Sequence, residues 1–208
     1  MRVIAVTKGF GPAAVRAALA AGLHDIGENY AAELTEKAAA VGRDAEGGAG
    51  AGAGEGTAAA GIVWHFLGAV QRNKVAQLAP VVGVWQSVAR AAEGERIARD
   101  APAARVLVQV DTTGLAGRNG CTPAETGALV ARLGDLGLDV GGLMTVAAPG
   151  EDRAREAFGT LGRLADRLGL EERSMGMTDD LEAAVAAGST MVRIGRALFG
   201  ARPQAPAA

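Results

Sequence analysis

The sequence predicts an α/β protein built as a single (β/α)8 TIM-type barrel. Short apolar runs rich in β-branched residues alternate with segments of helical spacing along the whole chain, which indicates a parallel sheet with helical crossovers. Eight such units can be counted, and eight favour a closed barrel over an open doubly wound sheet. No G-x-G-x-x-G follows the first strand, which argues against a dinucleotide-binding fold. With 208 residues, the chain lies near the short end of the usual range for such barrels.

The predicted strands are short runs in which Val, Ile and Leu dominate. The first stops at the turn formed by Gly9, Phe10, Gly11 and Pro12, and the run from Arg105 to Val110 is the clearest buried strand. In chain order the predicted strands are residues 2–7, 24–28, 62–67, 82–87, 105–110, 138–146, 172–176 and 191–194.

The predicted helices carry start signals or an apolar stripe. Pro12 suits a first turn, and Thr122 to Glu125 combines an N-cap, a proline at the first helical position and a capping-box glutamate. Apolar residues recur at helical spacing between Phe158 and Leu168. In chain order the predicted helices are residues 12–22, 29–40, 71–80, 89–100, a helix opening at Thr122, 150–169, 179–187 and 196–200.

One domain is expected, spanning residues 1–202. Residues 42–60 are a Gly/Ala-rich stretch that cannot bury much surface, so we expect a loop insertion, on the face away from the strand ends that carry the site. Residues 203–208 are expected to be a disordered tail.

Composition excludes several classes of protein. A net charge of −2 gives no global basic footprint for nucleic acid. The single cysteine, Cys121, excludes an intramolecular disulfide and fits a reducing compartment. No stretch approaches the roughly 18 apolar residues of a membrane span, and the N-terminal apolar run is too short for a signal peptide. These observations predict a cytoplasmic protein that binds neither nucleic acid nor membrane.

Lys8 is the most informative residue because it stands where the first predicted strand ends. An ammonium group in apolar surroundings is costly, so the site must pair it, hydrate it or lower its pKa. A lysine with a lowered pKa is a nucleophile that forms a Schiff base with an aldehyde. The alternative is a strand-end lysine whose amine reaches solvent.

Two glycine turns follow the seventh and eighth predicted strands, where barrels often hold phosphate. They are Ser174–Thr178 and Ile194–Ala197, and each leads into a predicted helix. Glycine lets the backbone approach a ligand, exposed amides suit an anion, and Arg193 or Arg196 could add positive charge. The alternative is a pair of ordinary glycine turns.

Closure of a barrel places its eighth strand beside its first, and therefore Lys8 beside the two glycine turns. A nucleophilic lysine next to a phosphate site suits a phosphorylated aldehyde. Pyridoxal 5′-phosphate is one such compound, and a sugar-phosphate intermediate of an aldolase is the rival.

Other strand ends add candidates with two interpretations each. Asn29 could orient a ligand or cap a helix, and Glu28 is a possible partner for Lys8. Met144 could pack on a ring, although core packing is the usual role of methionine. His65 could face the barrel interior as a satisfied core histidine, and the Asn73–Lys74 pair could be solvated. No Ser/His/Asp set, metal cluster or Walker A loop is present in the sequence.

Taken together, these segments resemble the pyridoxal phosphate homeostasis proteins over nearly the whole chain, from residue 5 to about 202. The matching blocks are AVTKGF, GENYAAE, WHFLGAVQRNK, VLVQVD, GLMT and SMGMTDDLEAAVAAGSTMVRIGRALFGAR. The resemblance implies a barrel like the N-terminal domain of alanine racemase, with Lys8 as the residue that holds pyridoxal 5′-phosphate as a Schiff base. It further implies a set of cofactor contacts: Ser174, Gly176 and Gly195 at the phosphate, Asn29 and Met144 near the ring, and Arg193 at the ring or phosphate side.

Two features depart from the family pattern. The family carries a helix before the lysine strand, whereas this sequence starts at that strand, so we expect a barrel without the usual N-terminal helix and with part of its floor exposed. The Gly/Ala-rich stretch lengthens the loop before the third strand.

Three functions fit these features: a non-catalytic carrier of pyridoxal phosphate that serves intracellular homeostasis, an amino-acid racemase, and a Schiff-base aldolase without cofactor. A two-base racemase needs an acid/base group on each face of the ring, and in alanine racemase a tyrosine from another domain and subunit supplies the second. Tyr30 is the only tyrosine of this sequence, which favours the carrier. Family analogy suggests a monomer whose partners are apoenzymes that use the cofactor.

Overall fold

The computed structural model describes residues 1–46 and 61–202, and within them eight parallel strands form a closed barrel in chain order. This confirms the fold class predicted from the alternating pattern. The strands are β1 (Arg2–Val6), β2 (Asp25–Glu28), β3 (Val63–Phe66), β4 (Val82–Val88), β5 (Arg105–Gln109), β6 (Asp139–Met144), β7 (Glu172–Ser174) and β8 (Met191–Ile194).

The barrel closes where β8 pairs with β1. The register runs from Arg2 opposite Met191 to Ala5 opposite Ile194. Because both strands run in the same direction, the residues after Val6 and those after Ile194 emerge at the same end of the barrel. Lys8 and Gly195 therefore belong to neighbouring loops, as the sequence predicted.

The helices form the outer layer. They are α1 (Pro12–Ala20), α2 (Ala31–Glu46), α3 (Val75–Leu78), α4 (Ala91–Asp100), α5 (Thr126–Asp135), α6 (Glu151–Leu168), α7 (Leu181–Ala186) and α8 (Arg196–Phe199), with a 3-10 turn at Arg72–Lys74 before α3. Helix α2 runs six residues past its predicted end and includes the start of the predicted 42–60 loop. The rest of that loop and the predicted tail at 203–208 lie outside the described residues.

Helix α5 begins later than its sequence signals predict. The capping-box contact forms, with the Glu125 carboxylate accepting from the Thr122 N–H at 2.9 Å. The Thr122 carbonyl, however, accepts from the Glu125 N–H at 3.1 Å and from the Thr126 hydroxyl at 2.9 Å. These bonds close a turn over 122–125, so the first helical residue is Thr126.

The apolar core lies in two layers. The larger one fills the space between the barrel and its helices and includes Trp64, Trp85 and Phe158. The smaller one lies inside the barrel and contains Ile4, Val84, Leu107, Met144 and Met191. Within residues 1–46 and 61–202, no helix combines the length and apolar character needed to cross a membrane.

Candidate functional site

A cavity of about 700 Å³ opens at the carboxyl ends of the strands. Loops after seven of the eight strands contribute to its wall, as expected for the functional end of a barrel. Its lining includes Val6, Lys8, Phe10, Asn29, Leu67, Gly68, Ala69, Gln109, Val110, Asp111, Arg118, Asn119, Met144, Val146, Met177, Thr178, Asp179, Arg193, Gly195, Arg196, Gly200, Ala201 and Arg202.

Lys8 lines this cavity two residues after the end of β1 and is half-buried. Burial lowers the pKa of its amine, and the nearby positive charges of Arg202 and Arg193 lower it further, against a smaller opposing effect of Glu28. A lowered pKa increases the fraction of neutral amine, which is the nucleophilic form.

Glu28, the partner that the sequence suggested for Lys8, bonds to other residues. Its carboxylate oxygen Oε1 accepts hydrogen bonds from the Lys37 amine and, at 2.6 Å, from the Thr7 hydroxyl. Lys8 makes no ion pair with Glu28. Glu28 is thus paired directly with Lys37, a second lysine from α2, and acts on Lys8 only through its charge.

Arg193 is the most deeply buried charged group at the cavity. Its guanidinium donates to the Ser174 hydroxyl at 2.8 Å and to the Thr145 carbonyl at 2.7 Å. Burial lowers its pKa to about 10. A cation held by neutral acceptors keeps its attraction for an anion or a ring acceptor in the cavity.

Ser174 is fully buried and lies behind the cavity wall rather than in it. Its hydroxyl donates to Gln86 Oε1 at 2.6 Å while it accepts from Arg193. Ser174 is therefore placed to orient the Arg193 guanidinium.

The same hydrogen-bonded chain continues down the barrel interior to His65. The Gln86 amide nitrogen lies 2.7 Å from His65 Nδ1, and His65 Nε2 lies 2.8 Å from a carboxylate oxygen of Asp25. Because the amide nitrogen donates, Nδ1 accepts and the ring proton belongs on Nε2. His65 is thus a satisfied core histidine, the more ordinary of its two interpretations.

The two glycine turns lie side by side. The Ala197 N–H donates to the Thr178 hydroxyl at 3.4 Å, and Arg196 pairs with Asp179. Thr178 and Gly195 line the cavity, so this joined pair of loops forms part of its wall.

The two glycines differ in what they do. A Cβ on Gly195 would lie 3.1 Å from the Val6 carbonyl oxygen, so a side chain there would crowd the loop against β1. Gly176 has a φ of +98°, and a Cβ there would lie 2.4 Å from the Cβ of Ala184 in α7. Gly176 therefore allows close packing of α7 and lies outside the cavity lining.

Asn29 and Met144 both line the cavity. The Asn29 side-chain oxygen Oδ1 is buried and has no hydrogen-bond partner within the described residues. An unpaired amide oxygen in the same cavity as the Lys8 amine fits a polar ligand that donates a hydrogen bond to it. Met144 is 2% exposed and forms the apolar floor of the cavity together with the inner core layer. The Asn73–Lys74 pair is exposed and lies outside the lining.

Sequence reasoning missed several cavity residues. Arg202 follows α8 and lies against the β1 turn, since a Cβ on Gly9 would be 2.9 Å from its Cδ. Arg118, Asn119 and Gln109 come from β5 and the loop after it. Tertiary packing brings them to the cavity. The sequence offered one signal for them, the long loop between the clearest predicted strand and the helix that follows it.

The donor set suits a phosphorylated aldehyde and is poor for a metal. Within residues 1–46 and 61–202, no group of three or more His, Cys, Asp or Glu side chains could hold a metal ion. The cavity instead combines a half-buried amine of lowered pKa, the Arg193 cation, the glycine turns at Thr178 and Gly195, and the unpaired amide oxygen of Asn29. The residues present thus fit pyridoxal 5′-phosphate, which has an aldehyde, a ring with polar substituents and a phosphate.

Comparison with known proteins agrees with this geometry. The family described as "Alanine racemase, N-terminal domain" matches residues 1–203. The pyridoxal phosphate homeostasis protein of Pseudomonas aeruginosa is 40% identical over 96% of this chain and 84% of its own length. PipY of Synechococcus elongatus is similar in structure, with 30% identity and a TM-score of 0.83 over 96% of this chain and 93% of PipY without pyridoxal phosphate. PipY with pyridoxal phosphate bound has 29% identity and a TM-score of 0.79 over 96% of this chain and 92% of PipY. The chain therefore belongs to the family of pyridoxal phosphate homeostasis proteins, which share the barrel of the alanine racemase N-terminal domain.

Proposed function

We propose that this protein binds pyridoxal 5′-phosphate as a Schiff base on Lys8 and serves intracellular homeostasis of that cofactor. The observation that carries the proposal is the Lys8 amine, half-buried in the cavity with a lowered pKa and two arginines nearby. When bound, the cofactor supplies an aldehyde that reacts reversibly with an amine. The names of the family relatives and the bound cofactor in PipY support the same conclusion.

Lys8 supplies the amine that anchors the cofactor, and the joined glycine loops are the proposed phosphate site. The amides near Gly195 and the Thr178 hydroxyl would donate to phosphate oxygens. Arg193 would contact the ring or the phosphate side from the barrel interior, held there by Ser174. Asn29 and Met144 would lie near the ring. Gly176 would contribute by placing its loop and α7 rather than by direct contact.

A carrier role fits the chain better than racemization. A two-base racemase needs a second acid/base group above the ring, and Tyr30, the single tyrosine, is 56% exposed and does not line the cavity. His65 is buried below the cavity between Asp25 and Gln86, and it does not line the cavity. Delivery of the cofactor to apoenzymes, a monomeric state and a cytoplasmic location stay predictions from the sequence.

Reduction with borohydride, followed by peptide mapping, tests the proposal directly. Lys8, Lys37 and Lys74 are the three lysines of the sequence, so the modified peptide identifies the residue without ambiguity. We expect a pyridoxyl group on Lys8 after incubation with pyridoxal 5′-phosphate, together with a visible absorbance band before reduction.

Absence of any attached group after incubation with the cofactor would refute the proposal, and so would attachment confined to Lys37 or Lys74. Assays of the purified protein separate the alternatives. Racemization of alanine at ordinary enzymatic rates, roughly 1 to 10³ per second, would establish the racemase instead. Cleavage of sugar phosphates without added cofactor would establish the aldolase.

A further inference from the structure

Lys37 is a buried lysine outside the cavity, with 2% of its surface exposed. It lies on α2, and its amine donates to the Thr7 carbonyl at 2.8 Å, to Glu28 Oε1, and to Glu33 Oε2 at 3.0 Å. Three acceptors satisfy the three donors of an ammonium group, so this side chain is held in one place. We call Lys37, Glu28, Glu33 and Thr7 the Lys37 cluster.

The Lys37 cluster forms hydrogen bonds with the residues on both sides of Lys8. Before Lys8, the Thr7 carbonyl accepts from Lys37 and the Thr7 hydroxyl donates to Glu28. After Lys8, the Gly9 N–H donates to Glu33 at 2.8 Å. Lys8 therefore lines the cavity while its two neighbours in the chain, Thr7 and Gly9, are tied to β2 and α2.

The cluster also controls the charge next to Lys8. Glu28 is fully buried, its Oε2 has no hydrogen-bond partner within the described residues, and its ion pair is with Lys37. Burial raises the pKa of this carboxyl, and the bonds from Lys37 and Thr7 oppose that effect. A carboxylate without this counter-ion would attract Lys8 and favour its protonated, non-nucleophilic form.

We propose that Lys37 is a positioning residue for Lys8, which fixes the turn that carries the reactive amine and holds Glu28 away from it. This inference rests on the function proposed above. The reaction that it assists joins the neutral Lys8 amine to the aldehyde carbon, forms a C=N bond and releases the aldehyde oxygen as water with both amine hydrogens. A misplaced or protonated amine makes the Schiff base less favourable, which lowers the affinity for the aldehyde, and it leaves phosphate binding unchanged.

The test compares two ligands in the variant Lys37→Met, which keeps an unbranched side chain, one heavy atom shorter, and removes its charge. Pyridoxal 5′-phosphate reports Schiff-base formation through its absorbance and through borohydride mapping. Pyridoxine 5′-phosphate has an alcohol in place of the aldehyde, so calorimetry with it reports the rest of the site. We expect the affinity for the aldehyde to fall about tenfold, and that for the alcohol to change by less than about twofold. The exposed Lys74→Met is the matched control and is expected to bind both ligands as the unchanged protein does.

A folded Lys37→Met protein that forms the Schiff base with unchanged affinity would overturn the inference, and so would an equal loss of affinity for both ligands. If that variant does not fold, the double variant Glu28→Gln with Lys37→Met removes both charges together. It is expected to show a smaller selective loss in the same direction, because only the bond of Lys37 to the Thr7 carbonyl is then missing from the turn. The unchanged protein distinguishes a failure of the proposed Schiff base on Lys8 from a failure of the proposed role of Lys37. Its failure to react at Lys8 would refute the proposed function itself, whereas a normal reaction there together with a normal Lys37→Met would refute only the role of Lys37.

Discussion

The cavity around Lys8 and the Lys37 cluster lie on opposite sides of one short turn, and they treat the same kind of side chain in opposite ways. Lys8 faces Arg193 and Arg202, whose charges lower its pKa, and it makes no ion pair within the described residues. Lys37 faces two carboxylates and a carbonyl, and each of its donors is used. The surroundings, and not the side chain, decide which lysine can react.

The two lysines also differ in the energetic cost of their burial. A lowered pKa favours the neutral form of Lys8, which carries no desolvation penalty of a charge. A buried ion pair stabilises the fold only when its geometry is good and its remaining donors are satisfied. The Lys37 cluster meets this condition on the lysine side and leaves Glu28 Oε2 unbonded on the other. Substitutions in the cavity should therefore change binding, and substitutions in the cluster should change stability as well.

The largest expected effect is the loss of the reactive amine. Lys8→Ala should abolish the visible absorbance formed with pyridoxal 5′-phosphate and the attachment after borohydride, because the Lys37 amine is paired with two carboxylates and lies outside the cavity lining. Absorbance spectra and peptide mapping measure both. Lys74→Ala, an exposed lysine, is the control. Transfer of the pyridoxyl group to Lys37 in the variant would contradict the contrast between the two lysines.

Glu28→Ala should produce the largest loss of stability on the cluster side. It leaves the Lys37 amine buried with Glu33 as its remaining carboxylate, and breaking a buried pair in this way costs about 3 kcal/mol. Urea denaturation measures the free energy of unfolding. Glu36→Ala, on the exposed face of the same helix, should change it by less than about 0.5 kcal/mol. Equal effects of the two substitutions would mean that the cluster contributes no special stability.

Gly195→Val tests the phosphate side of the cavity. A Cβ there already approaches the Val6 carbonyl oxygen to 3.1 Å, so the branched side chain should displace the loop amides and weaken pyridoxal 5′-phosphate binding about tenfold. Binding of pyridoxal, which has no phosphate, should fall much less. Gly134→Val, where a Cβ meets nothing within 4 Å, is the matched control. Unchanged affinity for the phosphorylated ligand would remove this loop from the proposed phosphate site.

The fold was predictable because strand and helix periods are local properties. Eight apolar runs with helical segments between them suffice to indicate the barrel, and closure then places Lys8 near Gly195 without any further information. The start of α5 was harder, since Thr122 and Glu125 make the same contacts in a turn as in a helix cap.

The supporting residues of the site were not predictable in the same way. Lys37 follows Glu33 by four residues on α2, which is the usual spacing of a solvated surface pair. Its burial depends on how α2 packs against β1 and β2, a long-range property with no local pattern. Ser174 stands in a predicted phosphate loop, yet its hydroxyl is directed at Gln86 inside the barrel, a direction that only the closed barrel defines.

Arg202→Ala should have the smallest effect. It tests whether neighbouring positive charges lower the pKa of Lys8. Removing this exposed charge raises the pKa of Lys8, so less of the amine is neutral at a given pH. The midpoint of Schiff-base formation against pH should therefore move to higher pH, by less than about one unit, while binding at high pH is unchanged. Because Arg202 is exposed, salt screens its charge, and the difference between variant and unchanged protein should shrink as ionic strength rises. Arg153→Ala, an exposed position on α6, is the control. A midpoint that moves to lower pH, or a difference that grows with salt, would mean that neighbouring cations do not set the reactivity of Lys8.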